Sequence, residues 1–196
     1  MYADTLDIFR TYWLAYGGLK ALWKSFYLLL ATVLLGLTFH TWWAPVSSAP
    51  GQWSAWWDQS FSVLPNLLGF TLGGFAIFIG FGDEKFRQLL ADPEFDHSVT
   101  TNSYVQLCSA FVHFIFVQLL ALLAAVLGKS WWFYAEWMEP VRGALPWLNA
   151  LGGAIGYGLF LYALTSVMAA TMQVFRITTL YAAFQSHKIK CCKTGG

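Results

Sequence analysis

The chain has 196 residues, of which 58% are hydrophobic, 19% aromatic and only 11% charged, with a net charge of +1. A soluble domain carries about 25% charged residues and 45–50% apolar ones. This composition therefore excludes a soluble enzyme, a disordered chain and a nucleic-acid-coating protein.

Residues 4–23 read as an amphipathic helix on the cytoplasmic side, with Leu6, Phe9, Trp13 and Tyr16 on one face and Asp4 placed as its N-cap. A hydrocarbon core of ~30 Å takes about 20 apolar residues as helix, and four stretches qualify. The first runs from about Phe26 to Trp43 and carries no Lys, Arg, Asp or Glu. Its apolar run begins only after Lys24, and Pro50 follows the small residues Ser47, Ser48 and Ala49. A retained span, rather than a cleaved signal, is the expectation.

The second span, about Phe61 to Phe81, carries Gly69, Gly73, Ala76 and Gly80 at intervals of four, three and four. They form one smooth stripe, with Phe70, Phe75, Phe78 and Phe81 as the bulky remainder. The stripe reads either as a close helix–helix contact, as small-xxx-small motifs make in lipid, or as a pore-lining or gating face. In an oligomer the two are compatible. Pro65 and Asn66 read as a helix start beneath the outer interface. Beyond the span, Gly82, Asp83, Glu84, Lys85, Phe86 and Arg87 predict a short cytoplasmic helix. Asp92, Glu94, Asp96 and His97 read as a solvated acidic turn, because they lack a calcium-loop pattern.

The third span, about Tyr104 to Gly128, places Gln106, Ser109 and His113 on one face and Gln118 on another. A buried imidazole in a membrane is a site hypothesis by default, and its titration range suits a proton-linked gate. The alternative is a structural hydrogen bond to Ser109 or to a neighbouring helix. The fourth span, about Trp147 to Met172, holds Gly152, Gly153, Gly156 and Gly158, with small-xxx-small spacing in Gly152/Gly156. Thr165, Ser166 and Thr171 are expected to bond back to the helix's own carbonyls. Residues 173–196 form a basic tail whose Cys191 and Cys192 are too few for a zinc site.

Loop charges set the orientation. Arg10, Lys20, Lys24, Lys85, Arg87, Arg176, Lys188, Lys190 and Lys193 fall on one side, against Lys129 and Arg142 on the other. Nine of the 11 tryptophans fall at or near the second side, where their half-buried rings suit the headgroup level. The expectation is a single all-α integral membrane domain with four transmembrane helices. Both termini are expected in the cytoplasm.

There is no phosphate loop, no metal-spaced histidine pair and no serine elbow, so neither an enzyme nor a cofactor or metal is expected. Four thin spans leave no lumen within one subunit, so a pore would form between subunits around a symmetry axis. That allows a homo-oligomeric pore, with a tetramer as the working count, opened or closed by the small cytoplasmic parts acting as a sensor. Gly69, Gly73, Ala76, Gly80, Gln106 and His113 would lie at its pore or gate. A non-catalytic scaffold subunit and a small proton-linked transporter using His113 are the alternatives.

The stretch Leu67 to Arg87, LLGFTLGGFAIFIGFGDEKFR, about a tenth of the chain, resembles channel-forming membrane effectors of antiphage defence operons, the Hailong type. The resemblance implies a channel controlled by a nucleotide or oligonucleotide ligand that a partner enzyme makes, depolarising the membrane on infection. It also implies that Lys85, Arg87, Arg176, Lys188 and Lys190 would receive that anion.

Overall fold

The computed structural model describes residues 2–43, 56–81, 103–130 and 145–194. Among these residues every regular element is an α-helix. The expected single helix over 4–23 is two: α1 (Tyr2–Tyr16) and α2 (Gly18–Trp23). At their junction Gly17 and Gly18, the first residue of α2, have φ of 98° and 63°, a region that side chains with a Cβ avoid. Because α1 starts at Tyr2, Asp4 lies inside its first turn rather than at the cap. A carboxylate there still complements the helix dipole.

The expected first span is broken as well. α3 (Phe26–Leu37) and α4 (Phe39–Trp42) meet at Thr38, whose φ and ψ of −101° and 21° are not helical. The Thr38 hydroxyl donates to the Leu34 carbonyl at 2.7 Å. The last carbonyls of a helix lack backbone partners, and here the Trp42 indole Nε1 donates to Leu35 at 3.0 Å. The 12 residues of α3 rise about 18 Å, well short of the ~30 Å core. α2 and α3 are bent by 56° at the Lys24–Ser25 joint.

Three helices are long and apolar enough to cross a membrane. They are α5 (Trp56–Phe81), α6 (Ser103–Ser130) and α7 (Leu145–Thr194), with apolar stretches Trp56–Gly80, Leu107–Ser130 and Ala150–Thr179. A fourth crossing exists only if the bent α2–α3 pair counts as one. α5 starts at Trp56, so Pro65 sits inside the helix and does not mark its start. α7 is continuous for 50 residues, and the expected tail extends the last span as helix.

α6 and α7 pack antiparallel. His113 is level with Tyr162, and Phe111 and Phe114 pack with Ala169 and Ala170. α5 lies against both, and α3 follows α7 in the opposite direction. On that flank Leu35 meets Gly158, and Thr165 shares its hydroxyl between the carbonyls of Tyr162 and Tyr27 at 3.1 and 3.0 Å. Ser166 and Thr171 bond back to Ala163 and Val167, as expected of hydroxyls in a span.

The tightest joint is at the tryptophan-rich end. The buried Trp56 indole lies on Gly128 of α6 and Gly156 of α7, and a Cβ at Gly128 would come within 2.9 Å of the ring. Nearby, the Trp42 carbonyl would stand 2.7 Å from a Cβ at Gly153. The contacting pair on α7 is therefore Gly153/Gly156, and Gly152 faces open space. Replacing Gly156 with alanine forces a methyl into the Trp56 ring and should destabilise the protein by about 1–3 kcal/mol. Gly152→Ala should cost nothing, and thermal unfolding in detergent compares the two. Equal midpoints would show that Trp56 does not sit on Gly156.

Candidate functional site

Two features stand out: a histidine–tyrosine cluster inside the bundle and a stripe of small side chains on its outside. His113 is only 4% exposed, ten residues into α6, facing both α7 and α1. Its Nδ1 lies 2.7 Å from the Tyr12 hydroxyl and its Nε2 lies 2.9 Å from the Tyr162 hydroxyl. A neutral imidazole has one donor and one acceptor nitrogen. One tyrosine therefore donates to the ring, and the ring N–H donates to the other. Tyr16 stacks on the imidazole at a centroid distance of 3.9 Å, within interacting range of Tyr162 as well. Phe9 continues the seam against Phe116, 5.7 Å away.

These contacts fix the chemistry of the α1 phenols. Burial pushes the Tyr12 phenol up to about 12, with the neighbouring Tyr16 adding to the shift. Burial also raises Tyr16. Both stay neutral across the physiological range and can serve as hydrogen-bond donors and acceptors.

Gln118 faces a different helix from His113. Its Nε2 donates to the Thr71 hydroxyl of α5 at 3.1 Å, and Thr71 donates onward to the Leu67 carbonyl at 2.9 Å. Among the described residues the buried Gln118 Oε1 has no hydrogen-bond partner.

The stripe of Gly69, Gly73, Ala76 and Gly80 points away from the protomer. All four are exposed, and a Cβ at Gly69, Gly73 or Gly80 would meet nothing within 4 Å. Among the described residues the stripe packs against no helix of its own subunit. Helical spacing extends it through Asn66 and Ser62, both exposed, towards Asp58, which pairs with Lys129 of α6 at 3.5 Å. Bulky exposed residues, Phe70, Leu72, Ile77 and Ile79, flank it on either side. Only 11% of the apolar window of α5 is buried, against 39% for α6 and 44% for α7.

The structure does not join stripe and cluster: His113 faces α1 and α7, whereas the stripe faces outward from α5. Gln106 belongs to α6, Lys188 and Lys190 to α7, and Arg176 is exposed on α7. The side chains of Gln106, Lys188 and Lys190 lie outside the described residues, as do Lys85 and Arg87 altogether. Tyr12, Tyr16 and Tyr162 were not foreseen as partners of His113. The available signal was a phenol in mid-span at Tyr162, a buried polar group that must find a partner, as His113 must.

Two outcomes follow. Gln118→Met removes a half-satisfied amide and strands no donor, since Thr71 keeps its own carbonyl, so stability should hold or rise by about 1 kcal/mol. A clear loss in thermal unfolding would mean that Oε1 is bonded. A phenol raised above its unfolded value of ~10 adds stability that is complete below that pH and vanishes as pH rises through its folded value. Docking of α1 should therefore survive to pH 10 and fail towards about 12. Spectrophotometric tyrosine titration of the protein against Tyr12→Phe checks this, and a Tyr12 that ionises at its ordinary value contradicts it.

The chain matches no protein-family model, no curated protein and no solved structure.

Proposed function

We propose that the protein is the subunit of a homo-oligomeric, ligand-gated ion channel in a bacterial plasma membrane. It crosses four times, α2–α4 supplying a broken first crossing, with both termini in the cytoplasm. The observation that carries this reading is the outward stripe of α5. A helix side facing lipid favours bulky apolar groups, and α5 has these on its flanks. Along its centre it instead presents Ser62, Asn66, Gly69, Gly73, Ala76 and Gly80, which are polar or small. Polar groups are costly against hydrocarbon and are found facing bundle interiors or water. Small residues allow helices from separate subunits to approach. Copies arranged about a symmetry axis satisfy both demands, with one edge of the stripe packed and the other lining a path.

Orientation rests on nine basic residues against two. The gate belongs to the cytoplasmic side, where Lys85, Arg87, Arg176, Lys188 and Lys190 offer positive charge to a nucleotide or oligonucleotide made by a partner enzyme. Opening would depolarise the membrane, as an antiphage effector would.

Ion flux from liposomes holding the purified protein tests the reading, run with and without short oligonucleotides and cyclic nucleotides. The wild type should assemble and pass ions in a ligand-dependent way. Gly73→Leu should abolish flux while leaving the thermal stability of the subunit unchanged, because a Cβ there meets nothing within 4 Å among the described residues. A monodisperse monomer that never conducts would overturn the proposal. A silent oligomer would favour a scaffold whose activity lies in a partner.

A further inference from the structure

We propose that α1 is a detachable latch on the membrane bundle, with Gly17–Gly18 as its hinge and His113 as its catch. The inference goes beyond the channel reading and does not depend on it.

Three observations converge. The first is how α1 is held: its contacts with the spanning helices run through one seam of aromatic side chains. Phe9 lies against Phe116, Tyr12 bonds His113 Nδ1, and Tyr16 stacks on the imidazole. Elsewhere on the helix Leu6, Ile8 and Leu14 are each about two-thirds or more exposed. The second is the joint. Gly17 separates α1 from α2, and it and Gly18, the first residue of α2, both have positive φ, so the two helices do not run into one another. A Cβ at Gly17 would come within 3.0 Å of Ala21, so the turn is both special and compact. Such a joint lets α1 swing as a unit without unravelling α2.

The third is the position of the catch. His113 bonds α1 on one ring nitrogen and α7 on the other. Releasing α1 leaves Tyr162 bonded and the α6–α7 packing at Phe111, Ala121 and Ala163 untouched. Undocking is therefore separable from unfolding, as expected of a local opening that breaks few buried contacts. The titratable groups facing the imidazole are Tyr12 and Tyr16 from α1 and Tyr162 from α7, all phenols. Hydrogen bonding and ring stacking, without ion pairing, are what the catch uses.

Hydrogen exchange read by mass spectrometry, on the full chain in lipid nanodiscs, tests the latch. In His113→Ala the amides of residues 4–16 should exchange about tenfold or more faster than in the wild type, the effect of losing one or two buried hydrogen bonds and a stacked ring. Residues 117–125 and 157–163 should keep their protection. Tyr12→Phe, which removes one hydroxyl and leaves the bundle intact, should give a smaller increase confined to the same segment. If His113→Ala does not fold, the Tyr12→Phe, Tyr16→Ala double variant delivers the same reading from the α1 side. Unchanged exchange over 4–16 in folded variants would overturn the proposal. So would a loss of protection shared equally by α1 and the spans, because α1 would then belong to one cooperative core.

Discussion

The contact between the Trp56 indole and two glycines sets the spacing of the three long helices. The ring enters the α6–α7 seam only because Gly128 and Gly156 offer no side chain there. Once seated, it holds the start of α5, the end of α6 and the first third of α7 at a common level. The lower partners then follow from helical rise: Thr71 reaches Gln118, Phe75 and Phe78 stack near Phe111, and His113 reaches Tyr162. In lipid no hydrophobic force draws helices together, so such close approaches and interhelical hydrogen bonds decide the register.

The same constraint governs the polar side chains. Water is absent at these depths, so each hydroxyl, amide or imidazole needs a protein partner. Most hydroxyls take the nearest one, a carbonyl one turn back on their own helix. His113 cannot, because its ring nitrogens stand too far from its own backbone ladder. It draws partners from two other helices, and one of these is outside the long spans. A residue costly to bury thus becomes the point at which the N-terminal helix is attached.

The sequence exposed some of this and concealed the rest for identifiable reasons. Long apolar runs announced α5, α6 and α7, because the bilayer sets both their length and their composition. The break at Thr38 was hidden, since leucines continue smoothly to it and a threonine within a helix is ordinary. Gly17 and Gly18 were visible as a pair, but only their positive φ separates α1 from α2. The stripe on α5 was legible as a periodicity, whereas the side it faces depends on where α6 and α7 pack. His113 was legible as a buried polar residue, and its partners were not. Tyr12 lies 101 positions away and Tyr162 lies 49 away, distances that no local pattern reports.

The continuity of α7 has an electrostatic consequence. A rod of 50 residues measures about 75 Å, more than twice the thickness of the hydrocarbon core. Past Thr179, where the apolar stretch ends, the helix carries the backbone of residues 188 and 193 about 14 Å and 21 Å further along its axis. The surface potential of anionic lipid decays over a Debye length of about 8 Å at physiological salt. On an upright helix the backbone of residues 188–193 would therefore stand more than a Debye length beyond the end of the apolar stretch, where the field of the headgroups is screened.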